Sequence, residues 1–243
     1  MSYTAERTTV GFEFNYHKFG FSGNPVPYEL KPDQAFKKGQ LVALKYPGQA
    51  ATDCGKLIPF TDSQRIDQDI LVGVMAETIK QADNPSDEVT YGMVYDNPGN
   101  IYRVTFTNVE EIQGASDGTT TRLDLAAVTN ANNIRGTLMF IYEGPGAGHV
   151  RTITEADDGG NTISWIGAID SITTDETKAL LLSADVNSAG INVGSVGAKV
   201  DSDGMKVDVG QALSATQNPI RVVRIDPKHL MMDVMLNGTF LGL

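Results

Sequence analysis

Two short apolar stretches, residues 40–44 (QLVAL) and 70–76 (ILVGVMA), decide the fold that this sequence predicts. The first alternates between the two faces of an extended chain, and the second is a continuous apolar run of strand length. The segment between them contains Pro47, Gly48 and Gly55, which favour turns. The pattern therefore predicts two strands that are joined by a turn-rich excursion.

Two further strands are predicted at residues 89–95 (VTYGMVY) and 101–106 (IYRVTF), on either side of the strong turn signal DNPGN at 96–100. We expect them to form a hairpin. Alternation in the second strand places the residues on two faces: Ile101, Arg103 and Thr105 on one, and Tyr102, Val104 and Phe106 on the other. Short strands at this spacing indicate a sandwich or a barrel.

The residue pattern changes over residues 113–204, which begin with a linker-like stretch at 113–120. Strands are predicted at 136–143, 149–154 and 162–166, with a tight glycine-rich turn at 144–148. Two shorter pieces leave alternatives open. Residues 123–128 fit a short helix or a turn, and residues 173–182 fit either a helix that opens on a capping box or a loop that enters a buried strand.

The sequence returns to strand patterns at 219–225 and 231–236, followed by a turn signal at Asn237-Gly238. The expected fold class is all-β: a small β-barrel or sandwich domain, an inserted second β domain and an extended N-terminal arm. The expected bounds are 1–35 for the arm, 36–112 plus 205–243 for the barrel domain, and 113–204 for the insert.

The formal net charge of the chain is −11. An acidic surface repels phosphate backbones and anionic lipid, so we expect neither nucleic acid nor membrane as a partner. No signal peptide is expected, and no apolar run reaches the length of a membrane-spanning helix. The sequence thus favours synthesis in the cytosol. Cys54 is the only cysteine and is expected to be a semi-buried structural thiol.

Candidate chemical sites are weak. His17, His149 and His229 are far apart in sequence, and residues 144–149 (GPGAGH) lack the lysine that a phosphate-binding loop requires. Residues 201–204 (DSDG) begin like a calcium loop, but the remaining ligands are out of register. We therefore predict no catalytic residue, no metal site and no cofactor.

Aromatic residues crowd the N-terminal arm: Phe12, Phe14, Tyr16, Phe19 and Phe21. Alternation places Phe12, Phe14 and Tyr16 on one side of a strand. An extended aromatic arm must pack on its own domain or on another molecule, and the sequence leaves both open. Trp165 also has two interpretations, as a core residue or as an exposed stacking platform for a ligand such as a sugar.

The succession of a strand, a polar excursion and a strand ending in LVGV (residues 71–74) resembles the small β-barrel domain of tailed-bacteriophage capsid decoration proteins, which are also called cement or head-stabilising proteins. The resemblance implies a structural virion protein without enzymatic activity. Such a protein binds the outer capsid surface and clamps adjacent major-capsid subunits, typically as a homotrimer. The resemblance also implies that the aromatic residues of the N-terminal arm contact the capsid or a neighbouring subunit.

Two alternatives remain open at this stage. The chain could be a glycan- or receptor-binding module of a phage head fibre or tail component, with Trp165 as its aromatic platform. It could also be an enzyme that acts on polysaccharide, because carboxylate pairs at catalytic separations cannot be recognised from sequence. Region 113–204 is not accounted for by the resemblance.

Overall fold

A computed structural model of the protein describes residues 11–17, 23–45, 53–63, 69–97, 99–128, 133–213 and 220–236. Throughout these residues the chain forms short strands joined by turns, and the only helical pieces are the 3-10 turns Gln81–Asp83 and Pro227–His229. The prediction of an all-β fold with a barrel is confirmed.

Strands within the described residues are numbered here in chain order. They are β1 Glu13–His17, β2 Val26–Glu29, β3 Leu41–Lys45, β4 Leu57–Pro59, β5 Asp69–Met75, β6 Tyr91–Tyr95, β7 Asn100–Thr107, β8 Glu110–Gln113, β9 Ser116–Thr119, β10 Arg122–Asp124, β11 Leu138–Glu143, β12 Val150–Asp157, β13 Thr162–Trp165, β14 Lys178–Leu181, β15 Val196–Val200, β16 Val207–Asp208, β17 Ile220–Asp226 and β18 Met231–Leu236.

A five-stranded sheet contains the two stretches that opened the sequence analysis. Its order is β2-β6-β5-β3-β4, and it curls until Leu30, just after β2, bridges to Leu57 in β4. Alternation divides β3 between two cores. Val42 packs inside the curled sheet, whereas Leu41 and Ala43 face the neighbouring barrel. The sheet therefore has a core of its own and a second apolar face that joins it to the rest of the molecule.

The barrel is a closed ring of five strands in the order β7-β16-β15-β17-β18, with β18 pairing back to β7. Strand β1 lies beside β7 as an additional edge strand. The predicted alternation in β7 is confirmed, because Tyr102, Val104 and Phe106 all point into the barrel core. Val234, opposite Tyr102, and Val222, opposite Val234, complete that interior.

The seven-stranded sheet follows the order β8-β14-β11-β12-β13-β10-β9 and surrounds a third core. The predicted hairpin between β11 and β12 is confirmed. Residues 174–177 form a turn that leads into the buried strand β14, so the loop alternative is confirmed and no helix forms there. Residues 122–124 form strand β10, so the expectation of a helix or turn at 123–128 is wrong at its beginning.

The predicted hairpin between residues 89–95 and 101–106 is wrong. Strand β6 pairs with β2 and β5, while β7 pairs with β1, β16 and β18. The turn signal at 96–100 is real, since the amide of Asn100 donates to the carbonyl of Asn97 at 3.0 Å. It redirects the chain from one sheet into the next, because a local turn does not determine which strand becomes the hydrogen-bonded neighbour.

Two sheet assignments bear on the expected domain bounds. Strand β15, at residues 196–200, was expected to belong to the insert but pairs with β16 and β17 of the barrel. Residues 36–112 contribute to all three sheets through β3, β7 and β8. The turn that was expected at Asn237-Gly238 lies outside the described residues.

Candidate interaction surface

The structure separates the aromatic side chains that were expected to contact a partner. Phe12 is 2% exposed and belongs to the barrel core. Phe14 stacks on Tyr95 with ring centroids 5.8 Å apart, so it fastens β1 to the end of β6. Phe12 is therefore part of the core, whereas Phe14 is partly buried and keeps some exposed surface. Phe19 and Phe21 lie outside the described residues.

Tyr16 is directed to the outer face of the barrel, so the expectation that Phe12, Phe14 and Tyr16 share one side of a strand is wrong. Phe14 is opposite Tyr102, and Tyr16 is opposite the next residue, Ile101. The irregularity between them is a bulge at Asn15, which inserts one extra residue into β1. Because successive side chains alternate between faces, that residue reverses the direction of Tyr16, and its side chain is 45% exposed.

A row of side chains crosses the outer face of the barrel from Tyr16. Each member is directly opposite the next across a ladder, in the order Tyr16, Ile101, Met235, Arg221, Val196. Residues directly opposite each other point to the same face of a sheet and contact one another. Four of the five members are apolar or aromatic, so the row forms an apolar stripe on the outside of the barrel.

A turn at residues 192–195 forms one wall of a groove along this row. The amide of Gly194 donates to the carbonyl of Val222 at 2.9 Å, and the side chain of Asn192 donates to the carbonyl of Gly136 at 2.9 Å. These bonds hold Val193 over the barrel with 55% of its surface exposed. Sequence reasoning missed Val193, because nothing in the surrounding residues indicates where the turn docks.

The resulting outer-face groove has a volume of about 320 Å³. It is lined by Tyr16, Ile101, Val193, Gly194, Arg221, Val222, Val223 and Met235. None of these described lining residues is acidic, although the chain has 30 acidic residues against 19 basic ones. The groove is thus an apolar surface with one positive charge on an otherwise acidic protein.

An ion pair with a buried carboxylate and a partly exposed guanidinium fixes the strands beside the groove. Asp233 on β18 is 3% exposed and accepts from Nε of Arg103 on β7 at 2.9 Å and from its Nη2 at 3.2 Å. The hydrogen bond to Asp233 raises the pKa of the Arg103 guanidinium above its ordinary value. Asn15 in the bulge donates to the same carboxylate at 3.2 Å. The pair therefore connects β1, β7 and β18 at the point where Tyr16 turns outward.

The other two sheets also expose apolar side chains. On the five-stranded sheet, Tyr91 is 60% exposed, and Val89, two residues before strand β6 begins, is 62% exposed. At one end of the seven-stranded sheet, Ile166 is 83% exposed and Ile172 is 56% exposed. Arg151 fastens the loop that carries Ile166 by donating to the carbonyls of Gly167 and Ala168. Each of the three sheets therefore presents an exposed apolar surface.

Trp165 does not provide an aromatic platform. Its side chain is 3% exposed and packs in the core of the seven-stranded sheet, opposite Ile153 on β12. The core interpretation is confirmed and the platform interpretation is wrong, because the alternation of β13 directs Trp165 inward together with Ile163.

The weak chemical motifs have structural roles. The glycine-rich turn joins β11 to β12 with positive φ at Gly144, Gly146 and Gly148. His149 contacts Asp170 at 3.2 Å near the surface. The carboxylate of Asp201 accepts from the backbone amides of its own turn.

Cys54 is exposed, so the expectation of a semi-buried thiol is wrong. Within the described residues, no group of three or more His, Cys, Asp or Glu side chains could hold a metal ion.

No protein-family model, curated protein or solved structure matches the chain. In the described part of the chain no helix has the length and apolar character needed to cross a membrane. Interpretation of the chain therefore depends on its own residues and geometry.

Proposed function

We propose that this protein is a structural component of a bacteriophage virion. It binds the outer surface of the capsid and stabilises the shell by clamping adjacent major-capsid subunits. Its partners are the major capsid protein and, in a homotrimer, other copies of itself. The proposal assigns the chain no enzymatic activity and no cofactor.

One observation carries this proposal. The stretch that resembles capsid decoration proteins contributes the strands β3, β4 and β5 to one curled five-stranded sheet. That sheet has a core of its own, made by Leu30, Phe36, Val42, Leu57, Val72, Met75 and Val94. Gly73, in the LVGV segment, lies against the backbone of β6, where a Cβ atom would meet the carbonyl oxygen of Tyr95. The resemblance thus coincides with one unit of the structure rather than with fragments of several.

The distribution of exposed apolar residues supports a clamp. A clamp needs several weak contacts that act together, and linked contacts gain strength through effective concentration without any single large interface. The three exposed surfaces, around Tyr91, around Ile166 and in the outer-face groove, lie on different sheets. Such an arrangement suits simultaneous contact with more than one neighbour.

The glycan-binding alternative depended on Trp165 as an exposed platform, and the burial of that side chain removes its named residue. No other described feature favours it, so capsid binding is the function that we propose.

Cosedimentation tests the proposal. The full chain is mixed at increasing concentration with expanded, undecorated shells of the phage that encodes it, and bound protein is counted per major-capsid subunit. We expect saturation at a fixed ratio set by the shell symmetry, while light scattering gives the mass of the free protein. Absence from the shell pellet at every concentration would contradict capsid binding.

A further inference from the structure

The outer face of the barrel carries a second row of side chains beside the apolar row. Its members are directly opposite one another across the ladders, in the order Glu13, Arg103, Asp233, Arg224. Glu13 and Arg224 at the two ends are exposed, and the Arg103 side chain is 38% exposed. Charge therefore alternates along this row, from negative at the β1 end to positive at the β17 end.

The two outer strands of this face share a distortion. On β1, the bulge places Glu13 and Tyr16 on one face although they are three positions apart. On β17, an irregularity in the pairing with β18 does the same for Arg221 and Arg224. The inner strands β7 and β18 contribute two outer residues each at the regular spacing of two. The four-stranded face β1-β7-β18-β17 thus has the same layout when it is read from either edge.

The charge on this face differs from that of the whole chain. The charged side chains of the two rows are three arginines, Arg103, Arg221 and Arg224, and two carboxylates, Glu13 and Asp233. The face is therefore slightly basic, whereas the formal net charge of the chain is −11. Two copies of such an acidic protein repel each other, so a contact between copies needs a surface without excess acid.

A two-fold axis makes this face complementary to itself. If the axis lies in the plane of contact, parallel to the strands and between β7 and β18, it exchanges β7 with β18 and β1 with β17. Each row then meets the same row of the second copy in reverse order. Glu13 meets Arg224 of the second copy, Tyr16 meets Arg221, and Ile101 meets Met235. Opposite charges attract across such a contact, and a guanidinium on a tyrosine ring adds a cation–π interaction.

The lengths of the side chains fit the curvature of the barrel. A closed ring of five strands has a convex outer surface, so two such surfaces diverge on either side of the axis. The inner strands bring Ile101 and Met235 together near the axis, where the gap is smallest. The outer strands carry Glu13, Tyr16, Arg221 and Arg224, all of which are long enough to reach across a wider gap.

We propose that the β1-β7-β18-β17 face binds the same face of a second copy of this chain through a two-fold contact. A ring of three copies joins two different patches, so this contact is separate from the interface of a trimer and would link two trimers. The inference is independent of the capsid proposal, because it concerns the free protein.

Charge reversal tests the contact in analytical ultracentrifugation of the full chain without shells. Arg224→Glu faces Glu13 of the second copy, and Glu13→Arg faces Arg224. We expect each variant to raise the dissociation constant of the two-fold contact at least tenfold and to halve the mass of the parent. A mixture of the two variants at equal concentration pairs opposite charges at both ends of the contact, so it should restore the parent mass. Lys80→Glu, an equal charge change at an exposed position outside this face, is the matched control and should leave the mass unchanged.

Three results would overturn the inference: a parent mass of one or three chains, reversal variants that retain the parent mass, and folded variants whose mixture remains dissociated. Melting curves of each variant establish that it is folded. If a reversal prevents folding, Tyr16→Ala takes its place, because this substitution truncates a side chain that is 45% exposed. It should raise the same dissociation constant several-fold, and an unchanged constant would exclude Tyr16 and the proposed face from the contact.

Discussion

Arg103 and Asp233 meet across the β7–β18 ladder in a two-point contact, with Nε–Oδ1 at 2.9 Å and Nη2–Oδ2 at 3.2 Å. The carboxylate is almost fully buried, while the guanidinium side chain is 38% exposed. A buried carboxylate depends on its hydrogen-bond donors, since it has lost its contacts with water. This pair is therefore a point at which a single substitution should loosen the barrel and the bulged strand β1 together.

Arg103→Gln should destabilise the protein by about 2–3 kcal/mol, because it removes the cation from a buried carboxylate. Chemical denaturation measures the change in the free energy of unfolding. Arg122→Gln is the matched control, since Arg122 makes the same two-point contact with Asp124 at a more exposed site. We expect the control substitution to lower the free energy of unfolding by less than about 1 kcal/mol. Equal costs for the two variants would contradict the structural importance of the Arg103–Asp233 pair.

Gly73→Ala should destabilise the protein by about 1–3 kcal/mol, since the added methyl group collides with the carbonyl oxygen of Tyr95 and the two strands must shift. Gly159→Ala is the control. A Cβ there would lie 3.5 Å from its nearest neighbour, a carboxylate oxygen of Asp157, and the position is on an exposed turn. Thermal unfolding of both variants distinguishes them. A Gly73→Ala variant with an unchanged melting temperature would mean that β5 and β6 are not packed as closely as the structure shows.

Glu110→Gln should stabilise the protein at neutral pH and have no effect in acid. Burial, followed by the charges of Asp185 and Glu111, raises the pKa of Glu110. A raised carboxyl pKa means that the folded protein favours the neutral form. The stability that this form contributes is fully present below the ordinary pKa of glutamate and is lost as the pH rises through the raised value. Glutamine remains neutral at every pH and so retains that stability.

The measurement for Glu110 is the free energy of unfolding of both proteins between pH 3 and pH 8. The difference should grow as the pH rises, and Glu88→Gln at an exposed position should show a smaller change. A constant difference across the range would mean that the substitution acts through packing rather than charge.

Ile166→Asp should weaken shell binding at least tenfold without changing the melting temperature, because the side chain is 83% exposed and has little packing to lose. A charge placed in the centre of an apolar contact is desolvated on binding, which costs affinity. Ala127→Asp adds the same charge at the opposite end of the same sheet and should bind as the parent does. Equal binding by all three proteins would exclude this end of the sheet from the capsid contact.

Local patterns predicted much of this fold, and the failures have identifiable physical causes. The alternation of Tyr102, Val104 and Phe106 predicted the inner face of β7, because side-chain direction follows from the extended backbone alone. The pairing of β6 was missed, since the turn at 96–100 determines a change of direction but not the strand that is met afterwards.

The candidate interaction surface was harder to predict from the sequence than the strand pairing. The aromatic character of the arm is evident from the sequence. The bulge at Asn15, however, is what directs Phe14 inward and Tyr16 outward, and no residue type predicts a bulge of this kind. Arg221 and Met235 became neighbours through the barrel register, which depends on contacts between residues far apart in the chain. Such a surface can be recognised only from the folded structure.

The heat resistance of the capsid shows whether bound protein clamps the shell subunits together. Undecorated expanded shells are heated with and without saturating amounts of the protein, and the temperature at which they release their subunits is measured. If the protein clamps the shell, it raises this temperature, and the rise reaches a plateau at the stoichiometry of saturation. Shells that bind the protein but come apart at an unchanged temperature would contradict the claim that it clamps their subunits together.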